Sequence, residues 1–216
     1  ALLFRLAQAF GVFINKKHSG TFGDIGTFSF FADKTITSGE GGCVVTDDPS
    51  IAEYLALLRN QGRPNSGTFV HPEMGMNFRS NDIISSLILT QMSKFDFIHS
   101  NKLRLFRLYI SLLCNLSEIS LPAFGFRDDD VPFRFFFQCN RKSELIEYLE
   151  SYNIQTRSFF YPMHLQPAIL HHYPDQSPLI VSEDLFATGI ALPLHMDLTD
   201  DDVIYICERI KSFFKS

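Results

Sequence analysis

Short apolar runs bounded by glycine, proline or polar turn residues predict a series of β-strands along the chain. Residues 27–31 and 43–46 are two such runs, and the glycine-rich sequence GEGG at 39–42 leads into the second. Residues 133–139 and 154–157 have the same character further along the chain. The chain contains 23 phenylalanines and no tryptophan, and we expect most of these aromatic rings to pack in the core.

Apolar residues three and four positions apart predict helices between these strands. Residues 49–60 have this spacing, with Ser50 as a candidate N-cap and Gly62 just beyond the end. Asn140 or Ser143 is a candidate cap for a later helix, and Thr199 with three following aspartates favours the start of the last one. The other predicted helices are residues 81–92, 95–116, 142–151, 182–188 and 200–214.

Mixed strands and helices with glycine turns predict an α/β fold with two parts. Residues 121–132, which overlap the predicted connection 117–131, carry two prolines, a glycine and three consecutive aspartates, which is typical of an exposed connection. We interpret the aspartates as a solvated loop and not as a metal site. The connection separates a first domain, residues 1–116, from a small second domain, residues 132–216.

Composition and charge argue against several classes of protein. A net charge of −5 without a basic run argues against nucleic-acid binding, and no apolar stretch reaches the roughly 18 residues of a membrane span. The four cysteines are scattered without a CxxC pair, which predicts reduced thiols and neither a zinc site nor a disulfide framework. These features predict a cytoplasmic protein.

Lys34 is the residue with the most informative chemistry. It lies between an apolar strand and the GEGG turn, where partial desolvation favours its neutral amine. A neutral lysine amine is the nucleophile that forms Schiff bases with carbonyl compounds, including pyridoxal phosphate. The ordinary alternative is a solvated lysine at the junction of a strand and a loop.

The sequence around this lysine resembles a known family. FSFFADKTITSGEGGCVVTDD at residues 28–48 is similar to the lysine segment of the DegT/StrS family of sugar aminotransferases. LRNQG at 58–62, GMNFR at 75–79, IQTR at 154–157 and FFYPMH at 159–164 follow in the family's order. Within the family the pattern looks most like the perosamine synthase branch.

The resemblance implies a fold type I aminotransferase of α/β class, of which this chain is the C-terminal part. It implies that Lys34 carries pyridoxal 5'-phosphate and then acts as the catalytic acid and base. The implied substrates are a nucleotide-linked keto-deoxy sugar and glutamate as amino donor, in a route to lipopolysaccharide O-antigen. The implied first domain is a partial large, cofactor-binding domain, and the implied assembly is a homodimer.

Three further cofactor-binding residues are carried over from the family by position. Ser29 matches the serine whose hydroxyl binds the cofactor phosphate, and Gln8 matches a glutamine that binds its phenolic oxygen. Asn77 matches an asparagine that reaches the partner subunit's phosphate. Without the motif, Ser29 would be interpreted as a hydroxyl on a half-buried strand. Gln8 would be an ordinary polar residue, and Asn77 a turn residue.

Substrate candidates come from the segment that approaches the active site in relatives. Arg157 has a guanidinium that suits phosphate or carboxylate, and His164 can hydrogen-bond a sugar hydroxyl. Tyr161 lies between them in the same segment. The alternative is a surface arginine beside a structural loop.

Arg5 departs from the family pattern. It stands where the family has the aspartate that pairs with the pyridine nitrogen, three residues before the glutamine. An arginine cannot accept that proton, so it would weaken the cofactor as an electron sink. The resemblance also implies that the segment that anchors the cofactor phosphate in relatives would precede residue 1. We therefore expect little activity from this chain by itself, and the alternative function is a catalytically inactive remnant.

Two other classes of function are weighed. Residues 39–42 or 20–26 suggest a phosphate-binding loop, but the G-x-x-x-x-G-K-[S/T] pattern is absent and no clear helix follows either loop. A sugar dehydratase of the same family carries histidine in place of the lysine, and Lys34 argues against it.

Overall fold

The computed structural model describes residues 2–65, 67–122, 127 and 129–215, except for the side chain of Arg5. The chain divides into two compact units. The first comprises Ala1–Ser100 and Asp129–Phe133, and the second comprises Asn101–Asp128 and Arg134–Ser216. The sequence-based division at residues 117–131 stays a prediction.

The first unit contains a three-stranded sheet whose order is β1-β4-β5. Strand β1 (Leu3–Arg5) pairs in parallel with β4 (Ile25–Ser29), and β4 pairs in antiparallel with β5 (Gly42–Val45). A separate antiparallel hairpin is formed by β2 (Phe13–Ile14) and β3 (Lys17–His18). The predicted strands 27–31 and 43–46 thus correspond to β4 and β5, each beginning earlier than expected.

The helices of the first unit begin at side-chain caps. Helix α1 (Pro49–Arg59) is capped by Asp48, whose Oδ1 accepts from the backbone N–H groups of Ser50 at 2.8 Å and Ile51 at 3.3 Å. The prediction of Ser50 as the cap is therefore wrong, because the aspartate two residues earlier takes that position. Asn81 caps α2 (Asp82–Ser93) through its Oδ1.

The second unit contains a four-stranded antiparallel sheet, whose order is β6-β7-β9-β8. Its strands are β6 (Ile119–Ser120), β7 (Phe135–Cys139), β8 (Arg157–Ser158) and β9 (Gly189–Leu192). Its core contains Phe135, Leu145 and Ile210, each fully buried. The remaining helices of the chain are α3 (Phe95–Leu113), α4 (Lys142–Ser151), α5 (Pro167–His172), α6 (Ile180–Thr188) and α7 (Asp200–Lys215).

Several local predictions in the second part of the chain need correction. Helix α4 has the predicted bounds, but it begins after Arg141 without a side-chain cap, so neither Asn140 nor Ser143 caps it. Strand β8 is shorter and later than predicted, and Ile154, where the predicted strand begins, is buried outside the sheet. The connection is not wholly exposed, since Val131 is buried. Asp128, within its acidic run, lies outside the described residues.

Thr199 has the predicted place at the start of α7. Its hydroxyl accepts from the backbone N–H of Asp202 at 3.2 Å, while the Asp202 carboxylate accepts from the Thr199 N–H at 2.9 Å. These reciprocal bonds satisfy donors that the first helical turn leaves without intrahelical partners. Across the described residues, no helix is long and apolar enough to cross a membrane. The same residues contain no cluster of three or more potential metal ligands.

Candidate functional site

The parallel pairing of β1 and β4 gathers four sequence-predicted positions at one edge of the first unit's sheet. Arg5 ends β1 and pairs with Thr27, while Ser29 ends β4. Gln8 is exposed in the turn after β1, and Lys34 follows β4. Ligands of α/β sheets bind outside the carboxyl ends of parallel strands. This edge, defined by the ends of β1 and β4, is the candidate site.

Residues 31–41 form the loop that carries Lys34, which we call the lysine loop. Its base is closed by Phe30, whose N–H donates to the Gly41 carbonyl at 2.9 Å and whose carbonyl accepts from the Ser38 N–H at 3.0 Å. Ile36 is 1% exposed and anchors the loop to the interior. Gly41 has a φ of 132°, which side-chain-bearing residues rarely adopt. The loop is therefore a packed and closed element that holds its lysine in a defined place.

The Lys34 side chain is 14% exposed and engages two neighbours. Its Nζ lies 2.9 Å from Oδ1 of Asp33 and 5.1 Å from the centroid of the Phe133 ring. Sequence reasoning anticipated a desolvated lysine but missed both partners. The amine must leave Asp33 before it can attack a carbonyl carbon, because a nucleophilic amine needs a free electron pair.

Two hydroxyl groups flank the lysine along the chain. Ser29 Oγ accepts from the Phe31 N–H at 3.2 Å, which leaves its hydroxyl proton for another acceptor. Thr35 Oγ1 is buried and has no hydrogen-bond partner among the described residues. A buried hydroxyl without a partner carries a desolvation cost that a bound polar group would remove.

Asn77 lies in the same unit, in a segment that pairs with the end of α1. It forms an isolated antiparallel bridge with Asn60. Its Oδ1 accepts from Nε of Arg79 at 3.1 Å, and an Arg79 terminal nitrogen donates to Oδ1 of Asn60 at 3.2 Å. The guanidinium thus holds the Asn77 amide by its oxygen and leaves the amide N–H groups for another partner.

The three substrate candidates lie in the second unit. Arg157 is exposed on β8, where its backbone pairs with Ala191. Tyr161 is exposed, and its ring packs edge-on against Phe186 at 5.0 Å. The structure therefore assigns Arg157 and Tyr161 to the surface of this unit, while Ser29, Gln8 and Lys34 share the sheet edge of the other.

His164, by contrast, is 6% exposed. Its Nε2 lies 3.0 Å from Oε1 of Glu183, which also accepts from the Leu179 N–H at 2.9 Å. The bond from His164, followed by the bond from Leu179, lowers the pKa of the Glu183 carboxyl. The His164 side chain therefore links its segment to α6 through Glu183. Its Nδ1 is buried without a hydrogen-bond partner among the described residues.

The profile of the DegT/DnrJ/EryC1/StrS aminotransferase family matches residues 2–211. The chain belongs to this family. The resemblance found in the lysine segment is thereby confirmed over nearly the whole chain.

Individual relatives agree with the family assignment. The chain is 34% identical over 214 residues to GDP-perosamine synthase of Escherichia coli O157:H7, covering 96% of this chain and 57% of that protein. It is 33% identical over 218 residues to GDP-perosamine synthase of Vibrio cholerae, covering 96% and 58%. The chain therefore spans somewhat more than half the length of the curated relatives it matches.

A solved structure of another aminotransferase has the same fold as this chain. Helicobacter pylori PseC, an aminotransferase involved in the biosynthesis of pseudoaminic acid, superimposes with a TM-score of 0.91 at 25% identity. The match covers 99% of this chain and 59% of PseC. The expected α/β class, that of a part of a fold type I aminotransferase, is confirmed.

Proposed function

We propose that the protein is a pyridoxal phosphate-dependent aminotransferase that moves an amino group from glutamate to a nucleotide-linked keto-deoxy sugar, as a perosamine synthase does. The observation that carries the proposal is the position of Lys34. Its side chain is mostly buried. It lies on the closed lysine loop beyond the end of β4, the strand that pairs in parallel with β1. Family membership and the two similar perosamine synthases support the reaction class and the sugar.

The donor set at the sheet edge fits pyridoxal 5'-phosphate. Lys34 supplies the amine for covalent attachment, and the Ser29 hydroxyl has a proton to donate to a phosphate oxygen. Thr35 offers the buried hydroxyl that lacks a partner, and Gln8 an exposed amide for the phenolic oxygen. When bound, the cofactor supplies an electron sink for the carbanion formed at the substrate carbon.

The chain's own residues have two tasks in this reaction. Lys34 Nζ leaves the carboxylate of Asp33, loses a proton and then moves protons at the reacting carbon as a general base and acid. Arg157 and Tyr161 are proposed to contact the sugar nucleotide, because a guanidinium forms paired hydrogen bonds with phosphate. His164 is proposed to support that contact from its buried position beside Glu183.

We further propose a homodimer in which Asn77 reaches the phosphate site of the partner subunit. The support is an apolar surface on the first unit, where Met74 is 96% exposed and Phe78 and Ile83 are each 73% exposed. Large apolar side chains that are exposed in a single chain are often covered at interaction sites. Light scattering on the purified protein is expected to give twice the chain mass. An active monomer at assay concentration would contradict the shared site.

A second candidate function is a family member that keeps the fold without turnover. It is favoured by Arg5, which ends β1 at the candidate site where the family carries an acid. In that case the protein would retain the lysine loop and bind cofactor poorly, and substrates would not be converted.

The test of the first proposal is direct detection of amino transfer. We expect that glutamate labelled with nitrogen-15, together with GDP-4-keto-6-deoxymannose, yields a labelled amino sugar nucleotide detected by mass spectrometry. Omitting pyridoxal phosphate should remove the product. Cofactor binding without any labelled product, with several keto-sugar nucleotides, would favour the second candidate.

A further inference from the structure

A cavity of about 740 Å³ in the first unit is lined by the exposed face of α1 and by residues that follow its end. Its lining includes three arginines, Arg59, Arg63 and Arg79, together with Glu53 and Tyr54. The cavity lies within the volume range of small-molecule sites, roughly 300–1,000 Å³. Lys34, Ser29 and Gln8 are not among the residues that line it, so the proposed cofactor site does not account for it.

The charge around this cavity is uncompensated. Three guanidinium groups face one carboxylate, that of Glu53, in a chain whose net charge is −5. Within the described residues, none of the three arginines forms an ion pair with an acidic side chain. Arginines concentrated around one concavity without acidic partners form a region of positive potential that attracts anions.

Ordinary structural roles explain only part of the arrangement. Arg59 lies in the last turn of α1, where the helix dipole favours a positive charge. That explanation does not extend to Arg63, which lies beyond the helix. Its terminal nitrogens donate to Oε1 of Gln61 at 2.7 Å and to the Thr68 carbonyl at 3.4 Å, while its Nε is buried without a partner.

The remaining lining residues suit a phosphate-bearing ligand. Arg79 is held by the side-chain oxygens of Asn60 and Asn77, so its guanidinium is oriented before any ligand arrives. Tyr54 is 48% exposed and offers a ring face that a base can stack against. Guanidinium groups bind phosphate oxygens in pairs, and three of them match the charge of a diphosphate.

We propose that this cavity binds a diphosphate group, either as inorganic diphosphate or as part of a nucleoside diphosphate. The proposal goes beyond the proposed function, whose substrate candidates lie on the second unit and whose cofactor residues Lys34, Ser29 and Gln8 lie at the sheet edge. Asn77, the fourth proposed cofactor residue, accepts a hydrogen bond from Arg79 but does not line the cavity. Arg59 and Arg63 provide the charge, and Tyr54 is the position at which a nucleoside would add affinity.

The test is isothermal titration of the purified protein with inorganic diphosphate and with GDP. We expect one site per chain for inorganic diphosphate, and we expect Arg59→Gln and Arg63→Gln each to raise its Kd about tenfold or more, the usual effect of losing one charged hydrogen bond. Lys94→Gln is the matched control, because it removes one exposed positive charge from the same unit outside the cavity lining. It should leave the Kd within about twofold.

Diphosphate should still bind to the Lys34→Ala variant, because Lys34 does not line the cavity. This result would show that the cavity is a site distinct from the cofactor site, whether or not the amino-transfer experiment succeeds. Arg59 is exposed, so its variant remains informative if the half-buried Arg63 proves necessary for folding. A tighter Kd for GDP that is lost in Tyr54→Ala assigns the site to a nucleotide, whereas equal values assign it to diphosphate alone. No binding at millimolar concentration, or an equal weakening in Lys94→Gln, would overturn the proposal.

Discussion

Replacing Lys34 with alanine is expected to remove the visible absorption of the bound cofactor and to lower amino transfer by about a thousandfold or more. A positioned general acid–base contributes about 10²–10⁴-fold by itself. Loss of covalent attachment adds to that effect, because Lys34 is the residue whose amine is held at the sheet edge. The measurement is a spectrum of the protein with pyridoxal phosphate, followed by the rate of the half-reaction with glutamate.

The matched control for this experiment is Lys94→Ala. Lys94 is exposed at the end of α2, so the variant removes the same amine from the same unit without touching the lysine loop. We expect its spectrum and its rate to remain those of the unchanged protein. Retention of both the absorption band and the half-reaction in Lys34→Ala would refute the assignment of the catalytic lysine.

Replacing Arg5 with aspartate is expected to accelerate the glutamate half-reaction by about tenfold or more. Arg5 ends β1 opposite Thr27, at the sheet edge that carries the proposed cofactor residues. A carboxylate there would accept a charged hydrogen bond from a protonated pyridine nitrogen, an interaction worth roughly 1.5–3 kcal/mol. A protonated ring withdraws electrons more strongly, so the proton-abstraction step should gain further.

Arg5→Gln separates the two physical effects at this position. It removes the positive charge without supplying an acid, and we expect it to improve cofactor affinity while leaving turnover low. The measurements are the Kd for pyridoxal phosphate and the rate at which the absorption band is lost after glutamate is added. Rapid turnover with Arg5 in place would show that the arginine is harmless and that its comparison with the family aspartate is mistaken.

Much of the local structure could be predicted because it depends on residues close together in sequence. The bounds of α4 were predicted without error, since its apolar spacing and flanking turn residues are unambiguous. The strands on both sides of the lysine loop were predicted from their apolar runs and from the glycines between them. Strand ends were less accurate, because they depend on pairing with β1 and with each other.

The contacts at the candidate site could not be predicted in the same way. The partners of Lys34 are Asp33, which needs a particular loop conformation to reach Nζ, and Phe133, which is distant in sequence. The Asn60 and Asn77 amides share one guanidinium because two separated segments pair as a bridge. Such contacts arise from tertiary folding, so periodicity and composition carry no signal for them.

One measurement tests the central claim, that Lys34 is the cofactor lysine of an aminotransferase, more directly than any variant. The purified protein is incubated with pyridoxal phosphate, reduced with borohydride so that the cofactor stays attached, digested and mapped by mass spectrometry. The claim predicts that the added mass lies on the peptide containing Lys34 and that prior incubation with glutamate, long enough for the slow half-reaction expected while Arg5 is in place, reduces the labelling. Labelling mainly at another lysine, or labelling at Lys34 that glutamate does not affect, would contradict it.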